Sequence, residues 1–213
     1  ALEPEVVAFL SMWNYEEYFH GRALTQLLEV CGQPLGPARI AQVREKSGVT
    51  EKINAWGSAL ISKFLPRHFL ALFMSWGAIN ELTTLRGYER LEASTQNPIL
   101  AELCRRIAKQ ERRHFAWYFN NAEQRLASSE SIQRFVRFML GHFWTPVGAG
   151  VKPMSEVSEL FLSLFPGELG NNLARDIDER ISTLPGLTGL TLLHDFNHQA
   201  TRQNQATASH VPV

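Results

Sequence analysis

The 213-residue chain is predicted to be all-α, built as a helical bundle. Three observations predict it. Apolar residues recur at steps of three and four over most of the chain. No segment alternates apolar and polar residues with a sustained period of two, and no repeat or Gly-rich phosphate loop is visible. Gly/Pro clusters cut the chain into pieces of helix length.

The first helix is expected from Glu3 to about Val30, with Pro4 tolerated in its opening turn, where backbone N–H groups lack helical acceptors. Val6, Leu10, Trp13, Leu24 and Leu28 form its apolar stripe. Gly32, Pro34, Gly36 and Pro37 break it. A short helix over Ala38–Lys46 follows, ended by Ser47-Gly48, and Thr50 is a good N-cap for another into the early sixties. Pro66 marks a kink or join. From Arg67 to about Glu92 a long helix carries Leu70, Met74, Gly77, Glu81, Thr84, Leu85 and Tyr88 on one side. Pro98 suits the first turn of the next helix, which runs to about Ala127. Ser128–Phe143 is a further helix capped by a serine run, and Thr145–Pro153 is a Gly/Pro loop. Met154–Phe165, Gly167–Thr183 and Leu187–Gln199 are three shorter helices separated by Pro166-Gly167 and Pro185-Gly186. Residues 1–200 read as one domain and 201–213 as a polar, frayed tail.

Composition narrows the function classes. Lys plus Arg equals Asp plus Glu at 21 each, so net charge points to neither nucleic acid nor an anionic membrane. Cys31 and Cys104 have no CxxC or zinc spacing and read as buried free thiols of a cytoplasmic protein. The longest apolar run, Phe69 to Ile79, is too short to span a bilayer, and no signal peptide is visible.

The chemistry-bearing pattern is Glu-x-x-His, found at Glu17/His20 and again at Glu111/His114. Chance supplies roughly 0.6 such matches in a chain of this composition, so placement carries the argument. Glu17 and His20 fall on the apolar stripe of their helix. Glu111 and His114 share a face with Leu103, Cys104, Ile107 and Tyr118, while Arg105, Arg106, Lys109, Arg112 and Arg113 fall on the opposite face. Glu81 is a third inward carboxylate. Buried acid and imidazole groups are costly unless something pairs with them. Three helices that each aim a Glu inward, two with an added His, form the bundle arrangement that holds two metal ions. Oxygen and imidazole donors suit iron or manganese. Glu16, beside Glu17, reads as a solvated charge. Trp13, Trp76, Phe115 and Trp117 read as core packing rather than a radical relay. Asp195 and His198 repeat the spacing on a short helix near a polar end and read as surface groups.

These residues resemble a known family. EEYFHGRALTQLL at 16–28 is similar to the first metal-binding helix of the soluble acyl-carrier-protein desaturases, with its EENRHG and leucine-rich run. QERRHFAWY at 110–118 resembles their last metal helix, DEKRHE. NELTTLRGY at 80–88 resembles the helix between, with Thr at the third place after Glu. The resemblance covers about Trp13 to Arg125. It implies a ferritin-like bundle with additional short C-terminal helices, two iron ions (or manganese), and ligands Glu17, His20, Glu81, Glu111 and His114. Thr84 becomes the hydroxyl near the oxygen-binding side. The implied activity is dioxygen-dependent desaturation or hydroxylation of an acyl chain in a homodimer. An acyl carrier protein docked on the Arg/Lys face and an electron donor such as ferredoxin are the implied partners.

Two departures matter. The acid preceding the last ligand Glu is Gln110 here, and the family's further ligand Glu, from a preceding helix, has no counterpart. Glu5 is about 18 Å from Glu17 along the same helix. Either an upstream helix outside the chain supplies that ligand, the explanation the start at Ala1 favours, or the site is incomplete; without that helix an apolar flank should be exposed. Two other functions fit the same residues: N-oxygenation or hydroxylation of an amine or aromatic compound, and a metal-free scaffold that kept the fold.

Overall fold

A computed structural model describes residues 3–33, 63–149 and 152–208. Among the described residues there are seven helices and no strand: α1 (Pro4–Val30), α2 (Pro66–Ser94), α3 (Pro98–Ala127), α4 (Glu130–Phe143), α5 (Met154–Leu164), α6 (Gly167–Ser182) and α7 (Leu192–Ala208). The all-α expectation is met. The helices expected at 38–46 and from Thr50 lie outside the described residues.

The three longest helices frame the molecule. Glu3 pairs with Arg125, Glu16 with Arg113, and His20 contacts Gln110, so α1 runs antiparallel to α3. Glu81 meets His114 and Glu89 meets Arg112, so α2 is antiparallel to α3 as well. Helix α2 leaves room for α3 at Gly77, where an added Cβ would run into the ring of Tyr118. Asn97 caps α3 by accepting from the Ile99 and Leu100 N–H groups, and Pro98 needs no acceptor.

The C-terminal helices complete the core. Arg90 on α2 donates to the Leu164 carbonyl at the end of α5. Phe161 packs edge-on against Phe196 of α7, and the Arg180 guanidinium of α6 lies over Phe119 of α3. Three boundaries differ from expectation. Helix α4 begins at Glu130, and Ser129 at its N-cap makes no side-chain capping bond. Helix α7 begins at Leu192 rather than Leu187, because Gly186 and Gly189 turn the chain with φ of 80° and 78° and the Asp178 carboxylate accepts from the Leu193 and His194 N–H groups. It also continues to Ala208, through the expected tail.

Among the described residues, helix α1 packs on one side. Val6, Phe9 and His20 are its buried residues, whereas Leu28, expected on the stripe, is exposed. Met12, Tyr15, Tyr18 and Phe19 are exposed too. No helix among the described residues is long and apolar enough to cross a membrane.

Candidate metal centre

The i, i+3 spacing places both members of each Glu/His pair on the inner side of α1 and α3, and α2 brings Glu81 between them. Glu111 and His114 are fully buried, and His20 and Glu81 nearly so. Glu17 retains about a third of its side-chain exposure. One ligand atom each from Glu17, Glu81, Glu111 and His114 lies within 4.8 Å of all the others, a spacing that can hold a metal ion. The fifth expected ligand, His20, is adjacent: its Nδ1 is 3.2 Å from Glu111 Oε1 and 3.4 Å from Glu17 Oε1. Thus all five residues converge. Glu3 and Glu5 are exposed and turned elsewhere, with Glu3 held by Arg125.

The decisive observation concerns unmet bonding capacity. Glu17 Oε1, His20 Nδ1, Glu81 Oε2, both Glu111 oxygens and His114 Nδ1 are buried with no hydrogen-bond partner. Their separations of 3.2–3.6 Å across Glu/His pairs lack hydrogen-bond geometry. An orphaned buried polar atom costs about 1–3 kcal/mol. Six at one point describe a set of donors shaped for a cation.

The outer ring nitrogens, by contrast, are satisfied. His20 Nε2 lies 2.6 Å from Gln110 Oε1, and His114 Nε2 lies 2.7 Å from Glu16 Oε2. Those contacts place the proton on Nε2 and leave each Nδ1 lone pair facing inward, the tautomer a metal ligand requires. Gln110 Nε2 also donates to Glu16 Oε1 at 3.2 Å, and Arg113 donates to the same oxygen at 2.9 Å. A chain of hydrogen bonds thus joins the two imidazoles: His20, Gln110, Glu16, His114. Glu16 is therefore not the solvated charge expected from its position. The register of two antiparallel helices sets it against His114 of α3. Sequence reasoning also missed Trp13 as a site residue: its indole N–H donates to Glu81 Oε1 at 2.9 Å. The available signal was symmetry, since Glu16 and Gln110 each immediately precede the Glu of a Glu-x-x-His pattern.

Without a cation the site holds protons instead. Burial opposes charge on His20 and His114, but the surrounding carboxylates outweigh it and raise them to about 10 and about 12. Burial lifts Glu81 to about 8. Burial also acts on Glu111, yet His114 and His20 outweigh it and lower this carboxyl to about 2.

Thr84 stands one turn beyond Glu81, half-buried, and lines a cavity of about 260 Å³ with Tyr88, Leu24, Leu91, Val157 and Phe161. The Tyr88 ring centroid is 6.5 Å from that of His20, so the cavity abuts the centre. On the basic face, Arg105 and Arg106 pair with Glu102, Arg112 with Glu89 and Arg113 with Glu16, while Lys109 is exposed. Trp117 stacks on Phe9 at 3.7 Å, and Trp13, besides its bond to Glu81, meets Tyr118 edge-on. Cys104 is buried, but Cys31 is exposed just past the end of α1, contrary to expectation. Asp195 accepts from Thr191 and is exposed, as is His198.

No family model, no curated protein and no solved structure matches the chain.

Proposed function

We propose that this chain is a ferritin-like dinuclear oxidoreductase that uses two iron ions, with manganese the second choice, to oxidise an acyl chain with dioxygen. The convergence of six orphaned buried atoms from Glu17, His20, Glu81, Glu111 and His114 carries this reading. Three carboxylates and two imidazoles match the charge and hardness of divalent iron or manganese. The resemblance of residues 13–125 to acyl-carrier-protein desaturases supplies the reaction class. Bound iron would supply the electrons that activate dioxygen.

The protein's own contributions are legible. Glu16 and Gln110 fix both imidazoles in their ligating tautomer. Trp13 holds one oxygen of Glu81 and leaves the other facing the centre. Leu, Val and Phe side chains line the adjoining cavity and suit an unbranched hydrocarbon, and Thr84 belongs to the same lining. Among the described residues no carboxylate lines that cavity, which favours an acyl chain over a cationic amine. The carrier-protein dock has weaker support, because the arginines of the basic face already pair with Glu102, Glu89 and Glu16.

Metal analysis after anaerobic loading with ferrous ion, followed by oxygen uptake, tests the reading. Iron should approach two per chain, and Glu111→Ala should lose both metal and uptake. Unchanged iron content in Glu111→Ala would rule out this ligand assignment; a folded protein that takes up no iron would leave the scaffold reading.

A further inference from the structure

The two imidazoles are not equivalently supported. His114 donates from Nε2 to a carboxylate, Glu16, at 2.7 Å, whereas His20 meets a neutral amide, Gln110, at 2.6 Å. An anionic acceptor draws on the ring N–H and makes the opposite nitrogen a stronger donor; an amide does so far less. Arg113 donates to the other oxygen of Glu16 at 2.9 Å.

The carboxylates are divided unevenly as well. Glu17 Oε1 sits between the rings, 3.4 Å from His20 Nδ1 and 3.5 Å from His114 Nδ1. Glu111 offers Oε1 to His20 at 3.2 Å and Oε2 to His114 at 3.6 Å. Glu81 breaks the balance. Trp13 holds its Oε1, and its remaining oxygen, Oε2, lies 3.4 Å from His114 Nδ1. The His114 side therefore has one carboxylate more, and the four-residue set that can hold an ion contains His114 and not His20.

We propose that the two metal positions fill in a fixed order: the His114 side first and tightly, the His20 side second and more weakly, with Glu16 and Gln110 as the positioning residues that set the gap. This inference rests on the metal-centre reading above and adds to it a ranking of the two positions. Outer hydrogen-bond partners of this kind change metal affinity about 10- to 100-fold, which is the separation expected between the two steps.

Titration of the metal-free protein with Mn²⁺, followed by calorimetry and electron paramagnetic resonance, tests it. One equivalent should give the six-line spectrum of an isolated ion, and the second should replace it with the spectrum of a coupled pair at least about tenfold more weakly. Gln110→Glu exchanges the amide on His20 for a carboxylate and removes the donor to Glu16, so it should tighten the second step and narrow the gap to the first, a gain that misfolding cannot mimic. Glu16→Gln should weaken the first step, so that the two converge, with the thermal melt showing that the variant still folds. A single step with no one-ion species, or a second step unmoved in Gln110→Glu, would overturn the ordering while leaving a dinuclear centre. Binding that stops at one ion per chain overturns the ordering and the dinuclear reading but leaves a metal site. No Mn²⁺ binding at all overturns the metal-centre reading, and the ordering with it.

Discussion

The indole N–H of Trp13 on α1 donates to Oε1 of Glu81 on α2, 68 positions away, at 2.9 Å. That contact is the direct tie between α1 and the carboxylate of α2, and it determines which Glu81 oxygen faces the centre. Trp13→Phe keeps most of the packing against Tyr118 and removes the donor. It should lower stability by about 1–3 kcal/mol, the cost of an unsatisfied buried acceptor. It should also weaken metal binding, as Glu81 becomes free to rotate. Denaturant melts and a metal titration of the variant check both; wild-type values in each would remove Trp13 from the site.

Gly77 on α2 makes room for the ring of Tyr118 on α3. Gly77→Ala should push the fully buried Tyr118 ring aside and cost about 1–3 kcal/mol despite the better helix propensity of Ala. Chemical denaturation reads the change. A stabilised variant would mean that the interhelical spacing is looser than described.

The buried titrating groups predict a pH dependence of the metal-free protein. His20 and His114 have ordinary values of 6.5 and are raised to about 10 and about 12; Glu81, ordinarily 4.5, is raised to about 8. All three hold a proton more tightly folded than unfolded. The stability they add is complete below their unfolded values and drains as pH rises through the folded ones. Glu111, lowered to about 2, acts oppositely, but only as pH falls below 4.5. The melting temperature of the metal-free protein should therefore decline from pH 6.5 to pH 10. Metal must displace the imidazole protons, so binding near pH 7 should release protons, seen by calorimetry in buffers of different ionisation enthalpy. A flat melting profile together with proton-neutral binding would contradict the assignment.

Gly87 lines the apolar cavity on α2, and an added Cβ there meets nothing within 4 Å. Gly87→Leu should fill part of the cavity while gaining about 0.8–1 kcal/mol of helix propensity. Metal content should match wild type, whereas binding of a long-chain fatty acid should weaken about tenfold or more, the effect of losing a few buried methylenes' worth of contact at about 0.8 kcal/mol each. Unchanged fatty-acid binding would show that the chain lies elsewhere.

The bundle was legible because its pattern is local. Period-3.6 stripes, Pro98 at a helix start and the Gly/Pro breaks each act within a few residues, and α1, α2 and α3 begin and end within two residues of expectation. The error at α4 is local, because Ser128 bonds back to the Arg125 carbonyl and closes α3 instead of opening α4; at α7 tertiary contact chose the boundary. Asp178, 14 residues before Leu192, caps α7, and no local signal near Leu187 could announce it.

Sequence alone determined which side of each helix is apolar, and hence that Glu17, His20, Glu81, Glu111 and His114 point inward, since that depends only on spacing along one helix. Only the tertiary structure decided what stands behind them. Whether Glu16 faces solvent or His114, and whether Gln110 reaches His20, depends on the register between α1 and α3, which are some 90 residues apart in the chain. A slide of one turn, about 5.4 Å, would separate every one of these partners while leaving both helical patterns unchanged.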